Sequence, residues 1–509
     1  MVTTPTVGRL AIVLHTHMPW VLGYGTWPVG EEWLRQAWAH AYLPMFALLR
    51  ERAEGGLTHQ LTLGVTPVLA AQWDDRTSVH EQARWIADWH TRASGKALEA
   101  SRTADESAAR DAERNYQLAI TAAHELDEHW SAGGSAALRP LVDSGVIELL
   151  GGPLTHAFTP HLSDPLIDLS LQAGLADTTA RVGHRPTGMW APECAYRPGL
   201  EQFYARHQVS HFMVDGPTLQ RAGASLHQPH RIGDTDVVAF GRDLELTYRV
   251  WSPDSGYPGD PWYLDFHSFD HAWGMRSYRV TDKQSDAKAP YEPHATAANI
   301  DRDVDDFISA ARTIMLNSPT PDPVIVAAYD TELFGHWWHE GPAFLARLLD
   351  KVPEAGIQLT TLSRERSRAA DSPPIELPSG SWGSGKDFGV WEEGEAGELH
   401  MRGRTIQEAV CDYLASHRRS HRTGRDHFGD ALTTEMFLAL ASDWAFMITK
   451  DSAADYARKR ADGHFQRVAE LLHSAGHESG QSRITTRDTR LPFLDSRTWR
   501  AASHGIGVP

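Results

Sequence analysis

Eight short apolar runs recur along the chain, each closing on polar residues: "RLAIVLHTH" (9–17), "QLTLGVTP" (60–67), "VIELLGG" (146–152), "TGMWAPE" (187–193), "SHFMVDG" (210–216), "DVVAFGRD" (236–243), "PVIVAAYDTE" (323–332) and "IQLTTLS" (357–363). Between most of them lie segments with helical spacing, such as "EEWLRQAWAHAYLPMFALLRERAE" from Glu31 to Glu54. Strands buried on both faces read as continuous apolar runs, whereas amphipathic helices repeat every 3.6 residues. Strands alternating with helices predict βαβ units and a parallel sheet or barrel.

Two stretches break the alternation. From about Thr77 to Ser131 the pattern is almost wholly helical, which predicts a helical insertion. After Arg368 comes the Pro/Gly/Ser-rich "AADSPPIELPSGSWGSGKDFG", followed by amphipathic "TIQEAVCDYLASH", "ALTTEMFLALASDWAFMI" and "AADYARKRADGHFQRVAELLHSA". The expected layout is an α/β barrel over residues 1–370 with an insertion at about 77–131. Residues 371–509 form an all-α C-terminal domain that contributes to the active-site cleft.

In parallel barrels, functional residues sit just past the C-terminal ends of strands. Those places hold His15 and His17, then His156, Glu193, Asp215, and the group Asp330, Glu332 and His336. Two chemistries compete for them. The H-x-H pair with an Asp could bind a divalent metal, as in a polysaccharide deacetylase. Glu193 and Asp330 could instead be the carboxylate pair of glycosidic-bond chemistry, with the histidines bonding sugar hydroxyls.

Composition narrows the partners. The formal charge of −18 argues against nucleic acid or an anionic membrane. The one basic run, at Arg418, Arg419, Arg422 and Arg425, reads as a solvated loop. No apolar stretch is long enough to cross a bilayer, and the N-terminus lacks a charged region and cleavage site. Two cysteines, Cys194 and Cys411, stand far apart without metal-ligand spacing, so a reducing cytoplasm is expected. Cys194 has no His/Asn arrangement and reads as a small buried residue. The chain also holds 18 tryptophans against 13 tyrosines. Flat indole faces suit sugar rings, although a Trp-rich core would give the same count.

The motifs "HTHMP", "GGPLTHAFTP", "MWAPECAY" and "YDTELFGHWW" resemble, in this order, the signature regions of glycoside hydrolase family 57. The stretches at 240–260, 381–391 and 441–457, and "LPFLDSRTW" near the end, resemble its branching members, which make α-1,6 links in 1,4-α-glucan. The resemblance implies a (β/α)7 barrel, so one of the eight runs, "DVVAF" or "IQLTTL", should lie outside it. It implies a retaining mechanism with Glu193 as nucleophile and Asp330 as general acid/base, and neither a catalytic metal nor a cofactor. The expected partner is an α-1,4-glucan, with the chain a monomer or homodimer. A 4-α-glucanotransferase or α-amylase of the same family is the alternative, and a deacetylase or a silent glucan-binding protein lies further off. His161 stands where the family more often has leucine.

Around this pair, His15, His17 and His156 are expected to bind sugar hydroxyls. His15, His17 and Arg242 are expected to donate to Glu193 and keep it ionised. Asp330, at a desolvated strand end, should hold its proton, with Glu332 as the competing acid. Trp20, Trp27, Trp251, Trp382, Trp391 and Trp444 are candidate stacking platforms. The glycines and lysine around Trp382 and Trp391 argue for exposure, whereas Trp27 could equally anchor a loop. His336, with Trp337 and Trp338, is a wall residue or core. Asp443 either reaches the site from its helix or lies on the helix surface. Tyr257, in "SPDSGYPGD", is either the tip of a lid over Glu193 or a residue packed on the barrel rim.

Overall fold

The computed structural model describes residues 6–252, 255–416, 424–475 and 488–502. Seven parallel strands form a closed barrel: β1 (Gly8–Thr16), β2 (Leu61–Val65), β3 (Ile147–Gly151), β4 (Gly188–Met189), β5 (His211–Asp215), β6 (Val238–Arg242) and β7 (Val324–Asp330). They pair in that order, and β7 closes the ring by pairing with β1 and, through Val326 and Arg242, with β6. The run at 236–243 is therefore inside the ring. The run at 357–363 is the odd one out. Its strand, Ile357–Thr360, pairs with the first half of β1, while β2 takes the second half from Val13 onward.

Period-2 alternation sorts the strand residues. Ala11, Val13, Met213, Phe240, Val326 and Ala328 meet in one cluster inside the barrel. Leu10, Ile12, Leu14, Ile325 and Ala327 face the surrounding helices. Lower in the barrel, Glu148 accepts hydrogen bonds from His211 Nε2 (2.6 Å) and Thr62 Oγ1 (3.0 Å). This pair crosses β4 over Gly188, where a Cβ would lie 2.1 Å from His211 Nε2. Only glycine fits there.

The insertion is a pair of long helices, α1 (Arg76–Thr103) and α2 (Glu106–Glu125), capped by Asp75 and Asp105. An Asp at this position satisfies an N–H that the helix itself cannot. Trp89 Nε1 donates to Asn115 (3.1 Å), and Lys96 pairs with Asp111 (2.7 Å), so the two helices are tied along their length. Trp38, Trp73 and Trp130 pack together, fully buried, where the insertion meets the barrel. Part of the tryptophan surplus is therefore core.

The C-terminal region holds α3 (Gly394–Ser416), α4 (His427–Ala439), α5 (Ser442–Thr449) and α6 (Ala454–Ala475). Two short backbone bridges join the C-terminal region to the barrel mouth, Ala157 with Ala441 and Tyr196 with Gly380. Arg418, Arg419 and Arg422 lie outside the described residues, and Arg425 pairs with Asp430 (2.6 Å). Among the described residues no helix is long and apolar enough to cross a membrane.

Candidate active site

The inward-facing series continues past the barrel core as chemistry. Two residues beyond Val13, Met213, Phe240 and Ala328 stand His15, Asp215, Arg242 and Asp330. Register places His15 beside Asp330 and Asp215 beside Arg242. Glu193 arrives differently. After the two-residue β4, Pro192 opens a tight turn in which Glu193 (φ 61°) and Cys194 (φ 48°) are left-handed; His156 (φ 59°) is as well. Residues other than glycine rarely adopt this conformation, and where they do it often marks a functional site.

The Glu193 carboxylate accepts from Trp382 Nε1 (2.6 Å) and from Ser442 Oγ (2.7 Å). Backbone bonds fix both donors: Trp382 N–H reaches Glu193 O (2.9 Å) and Ser442 N–H reaches His156 O (3.2 Å). His15, His17 and Arg242 do not hydrogen-bond Glu193, contrary to expectation. Arg242 pairs instead with Asp215 (2.8 Å), and its guanidinium lies 5.1 Å from the centre of the Trp382 ring. A cation over an indole face is attractive, so Arg242 steadies the donor and not the carboxylate.

The histidines form a stacked group behind Glu193. His15 lies flat on Trp190 (4.3 Å between centroids), and His17 and His156 stack at 3.9 Å. Burial holds His15 and His156 well below the usual imidazole range, so both are neutral. When Glu193 is ionised, Ser442 O–H must donate to it, so His156 Nδ1–H donates to Ser442 Oγ (2.9 Å). His156 Nε2 is then the lone pair that accepts from His15 Nε2–H (3.0 Å). This assignment leaves His15 Nδ1 unprotonated, and that buried atom has no partner among the described residues. His17 bonds Thr66 (2.9 Å) and both Asp443 oxygens (3.1 Å), so Asp443 does reach in from the first turn of α5.

Burial pushes Glu193 up to about 7, with Asp443 adding to the rise and the two hydrogen bonds opposing it. Burial also pushes Asp330 to about 7. The charge of Glu193 adds to this, and Arg242 and His17 oppose it. Among the described residues nothing donates a hydrogen bond to Asp330. The two carboxyls titrate as a pair near neutrality, and the donors select which one ionises. Glu193 has two such donors, and Asp330 has none among the described residues. Glu332 is raised to about 8 by burial and by Asp330, but it is committed to Tyr42 O–H (2.6 Å) and His17 N–H (3.1 Å). It serves as a brace.

His17, His156 and Asp443 offer ligand atoms within 4.8 Å of one another, so two imidazoles and a carboxylate could hold a metal such as zinc. In the metal-free arrangement these atoms bond one another and Ser442.

Several expected contacts are placed elsewhere. Trp391 is 2% exposed, stacked on Phe158, with its N–H on Ser442 O, because the helix after Phe388 turns it inward. Trp444 is 1% exposed in the core of the C-terminal region, its N–H on Leu438 O. Trp20 is also buried. Neither Trp391, Trp444 nor Trp20 is a platform for sugar. Trp251 is 42% exposed against Trp337, and Trp27 is exposed. His336 lines a different cavity, between the insertion and the loop after β7. Tyr257 donates to Asp306 (2.6 Å) and packs on Phe344, which is the rim placement. Ser442 and Trp190 were not anticipated. Ser442 was legible as the neighbour of Asp443, since a serine that opens a helix has a hydroxyl to offer.

Comparison with known proteins agrees with this architecture. Residues 11–377 match the model of glycosyl hydrolase family 57, and residues 404–499 match that of the 1,4-α-glucan branching enzyme C-terminal region. A probable 1,4-α-glucan branching enzyme of Mycobacterium tuberculosis is 44% identical over 504 residues, 95% of each chain. The crystal structure of a family 57 branching enzyme from Pyrococcus horikoshii is 29% identical with a TM-score of 0.84, over 96% of this chain and 97% of that one. That of a family 57 branching enzyme from Thermococcus kodakaraensis, in complex with glucose, is 27% identical with a TM-score of 0.87, over 97% and 96%.

Proposed function

The chain belongs to glycosyl hydrolase family 57, and from that premise we propose that it is a 1,4-α-glucan branching enzyme working by retaining double displacement. The observation that carries branching is the pairing of both matches, barrel and C-terminal region, with branching relatives along nearly the whole chain. What supports the mechanism is the unequal hydrogen bonding of Glu193 and Asp330.

Glu193 Oε attacks the anomeric carbon of an α-1,4-linked glucosyl unit. The bond to the departing O4 breaks, and Asp330 gives that oxygen its proton. The product is a covalent glycosyl-enzyme. Asp330, now ionised, takes the proton of a 6-hydroxyl on a second glucan chain. That oxygen displaces Glu193 and creates the α-1,6 link. His15, His17, His156 and Asp443 bind the hydroxyls of the cleaved unit.

Incubation with amylose, followed by proton NMR of the product, tests this reading. New α-1,6 anomeric signals with few new reducing ends are expected. Redistributed α-1,4 chains alone would make it a 4-α-glucanotransferase, and a rise of reducing ends alone an amylase.

A further inference from the structure

We infer that Asp215, Arg242 and Lys386 form a positioning clamp for this site: one buried carboxylate holds two cations that fix the Trp382 indole as hydrogen-bond donor to Glu193. The inference rests on the double-displacement reading above, in which Glu193 is the nucleophile. Among the described residues no hydrogen bond or ion pair joins any of the three to Glu193 or Asp330. Each therefore acts through Trp382.

The clamp starts at the end of β5. Asp215 is fully buried and precedes the short helix Gly216–Arg221, yet its side chain does not cap that helix. Its Oδ1 accepts from Arg242 Nε (2.8 Å), and Arg242 Nη2 lies 2.8 Å from the same oxygen. Lys386 Nζ stands 3.0 Å from Oδ2, an ion pair off the hydrogen-bond direction. A buried carboxylate with two cations is a poor device for stability, because the cost of taking three charges out of water offsets most of their attraction. What it does hold is position.

Both cations converge on Trp382. The Arg242 guanidinium lies 5.1 Å from the centre of its ring, and Lys386 Nζ donates to its carbonyl oxygen (3.2 Å). Ring and backbone are thus held by two partners of one carboxylate. Lys386 has φ 61°, a conformation that is costly for a residue with a Cβ and persists where its surroundings demand it. The turn it makes brings the ammonium back to Trp382 and Asp215. Arg221, from the helix that follows Asp215, donates to Ser379 O (2.8 Å) and Lys386 O (3.1 Å), so the same stretch of barrel holds both ends of the segment that carries Trp382. The result is the 2.6 Å bond from Trp382 Nε1 to Glu193. Such a bond weakens steeply as its angle opens, so a small rotation of the indole would loosen it.

The charge of Arg242 also opposes the rise of Asp330, so the rival role for these residues is to set the acid. The leaving group separates the two. Fluoride departs with little protonation, so the first step with α-maltosyl fluoride depends on Glu193 and hardly on Asp330.

The test compares kcat/KM of full-chain variants on α-maltosyl fluoride. Lys386→Met, at a partly exposed side chain, should lower it about five- to ten-fold, and Asp215→Asn about ten-fold or more. Lys386→Arg, which keeps a cation for Asp215, should recover most of that loss. In a Trp382→Phe background, where no indole N–H remains to position, Lys386→Met should cost less than about two-fold. Should Asp215→Asn fail to fold, because its two cations lose their counter-charge, the Lys386 comparisons decide alone. A wild-type value for Lys386→Met on the fluoride would overturn the inference, and a loss confined to amylose would move the clamp to Asp330. An undiminished loss in the Trp382→Phe background, or no recovery with Lys386→Arg, would overturn it as well. Wild-type turnover of the fluoride without α-1,6 links on amylose would overturn branching and leave the clamp standing, whereas no turnover of the fluoride would overturn both.

Discussion

Two carboxyls share one barrel mouth, and the chain treats them unequally. Both are buried, and each is raised to about 7, chiefly by burial. On the β4 side, Glu193 receives hydrogen bonds from Trp382 and Ser442, residues that arrive from beyond the barrel. On the β7 side, Asp330 receives none from the described residues and feels the charge of its neighbour. A hydrogen bond to the ionised form stabilises it, whereas an adjacent negative charge does the reverse. The C-terminal region thus decides the charge state of a barrel residue.

Breaking either side should have the largest effect. Glu193→Gln and Asp330→Asn should each lower kcat/KM on amylose by roughly 10⁴-fold or more in a folded protein. An activated leaving group then distinguishes them. With α-maltosyl fluoride, Asp330→Asn should regain about 10²-fold in the first step, since fluoride needs little protonation, and Glu193→Gln should regain nothing. Equal recovery would mean that the proposed roles are wrong.

Weakening one side should give a smaller, directional change. Trp382→Phe and Ser442→Ala each remove one donor to Glu193, so its pKa should rise. The acidic limb of the pH profile of kcat/KM should move up by about half a unit to one unit, with activity reduced roughly 10–100-fold. The basic limb, where Asp330 loses its proton, should move less. A fixed acidic limb would detach these donors from Glu193.

The barrel was legible because its strands are continuous apolar runs, and the strand-end residues followed from period-2 alternation beyond Val13, Phe240 and Ala328. The resemblance to family 57 reduced eight strands to seven but left open which one was extra. That depends on the register along β1, where β2 and Ile357–Thr360 share one edge, and local sequence does not encode it. The donors to Glu193 were misassigned for a similar reason. Nearness in the motif pattern favoured His15 and Arg242, whereas the contacts come from positions 189 and 249 residues away. Trp391 and Trp444 show that glycine neighbours and helix positions are weak guides to exposure.

The same asymmetry should appear in stability. Glu193, Asp330, Glu332 and Glu340 all have folded-state values raised to between about 7 and 8, chiefly by burial. Each of these four groups therefore binds more protons in the folded chain than in the unfolded one between about pH 4 and its folded value. Their contribution to stability should be full below that window and fall as pH rises through it. Asp330→Asn removes one such group that has no hydrogen bonds to lose. Its melting temperature should exceed that of the wild type at pH 8 by several degrees, and the gap should close only as pH falls to about 4. Glu193→Gln should gain less, because Trp382 and Ser442 lose a charged acceptor. Differential scanning calorimetry at the two pH values decides it, and equal gains would erase the distinction between the two sides.

The smallest expected effect on turnover concerns Tyr257 at the barrel rim. Tyr257 stands in a Gly/Pro-bounded loop where a lid over the intermediate would be sought. In the structure its hydroxyl donates to Asp306, which Arg249 also binds, and its ring packs near Phe344 and Trp338. These contacts hold the residue to the outer wall of the barrel. Tyr257→Ala should therefore act on stability first, lowering the melting temperature by several degrees for a loss of about 2–4 kcal/mol, as aromatic truncations in packed sites do. Tyr257→Phe, which keeps the packing and loses one hydrogen bond to a charged group, should cost about 1.5–3 kcal/mol. Neither should change the ratio of released reducing ends to new α-1,6 links, because the contacts of this ring are with Asp306, Phe344 and Trp338 and not with Glu193. A ratio that rises in Tyr257→Ala but not in Tyr257→Phe would mean that the ring leaves Asp306 during turnover and shields the glycosyl-enzyme.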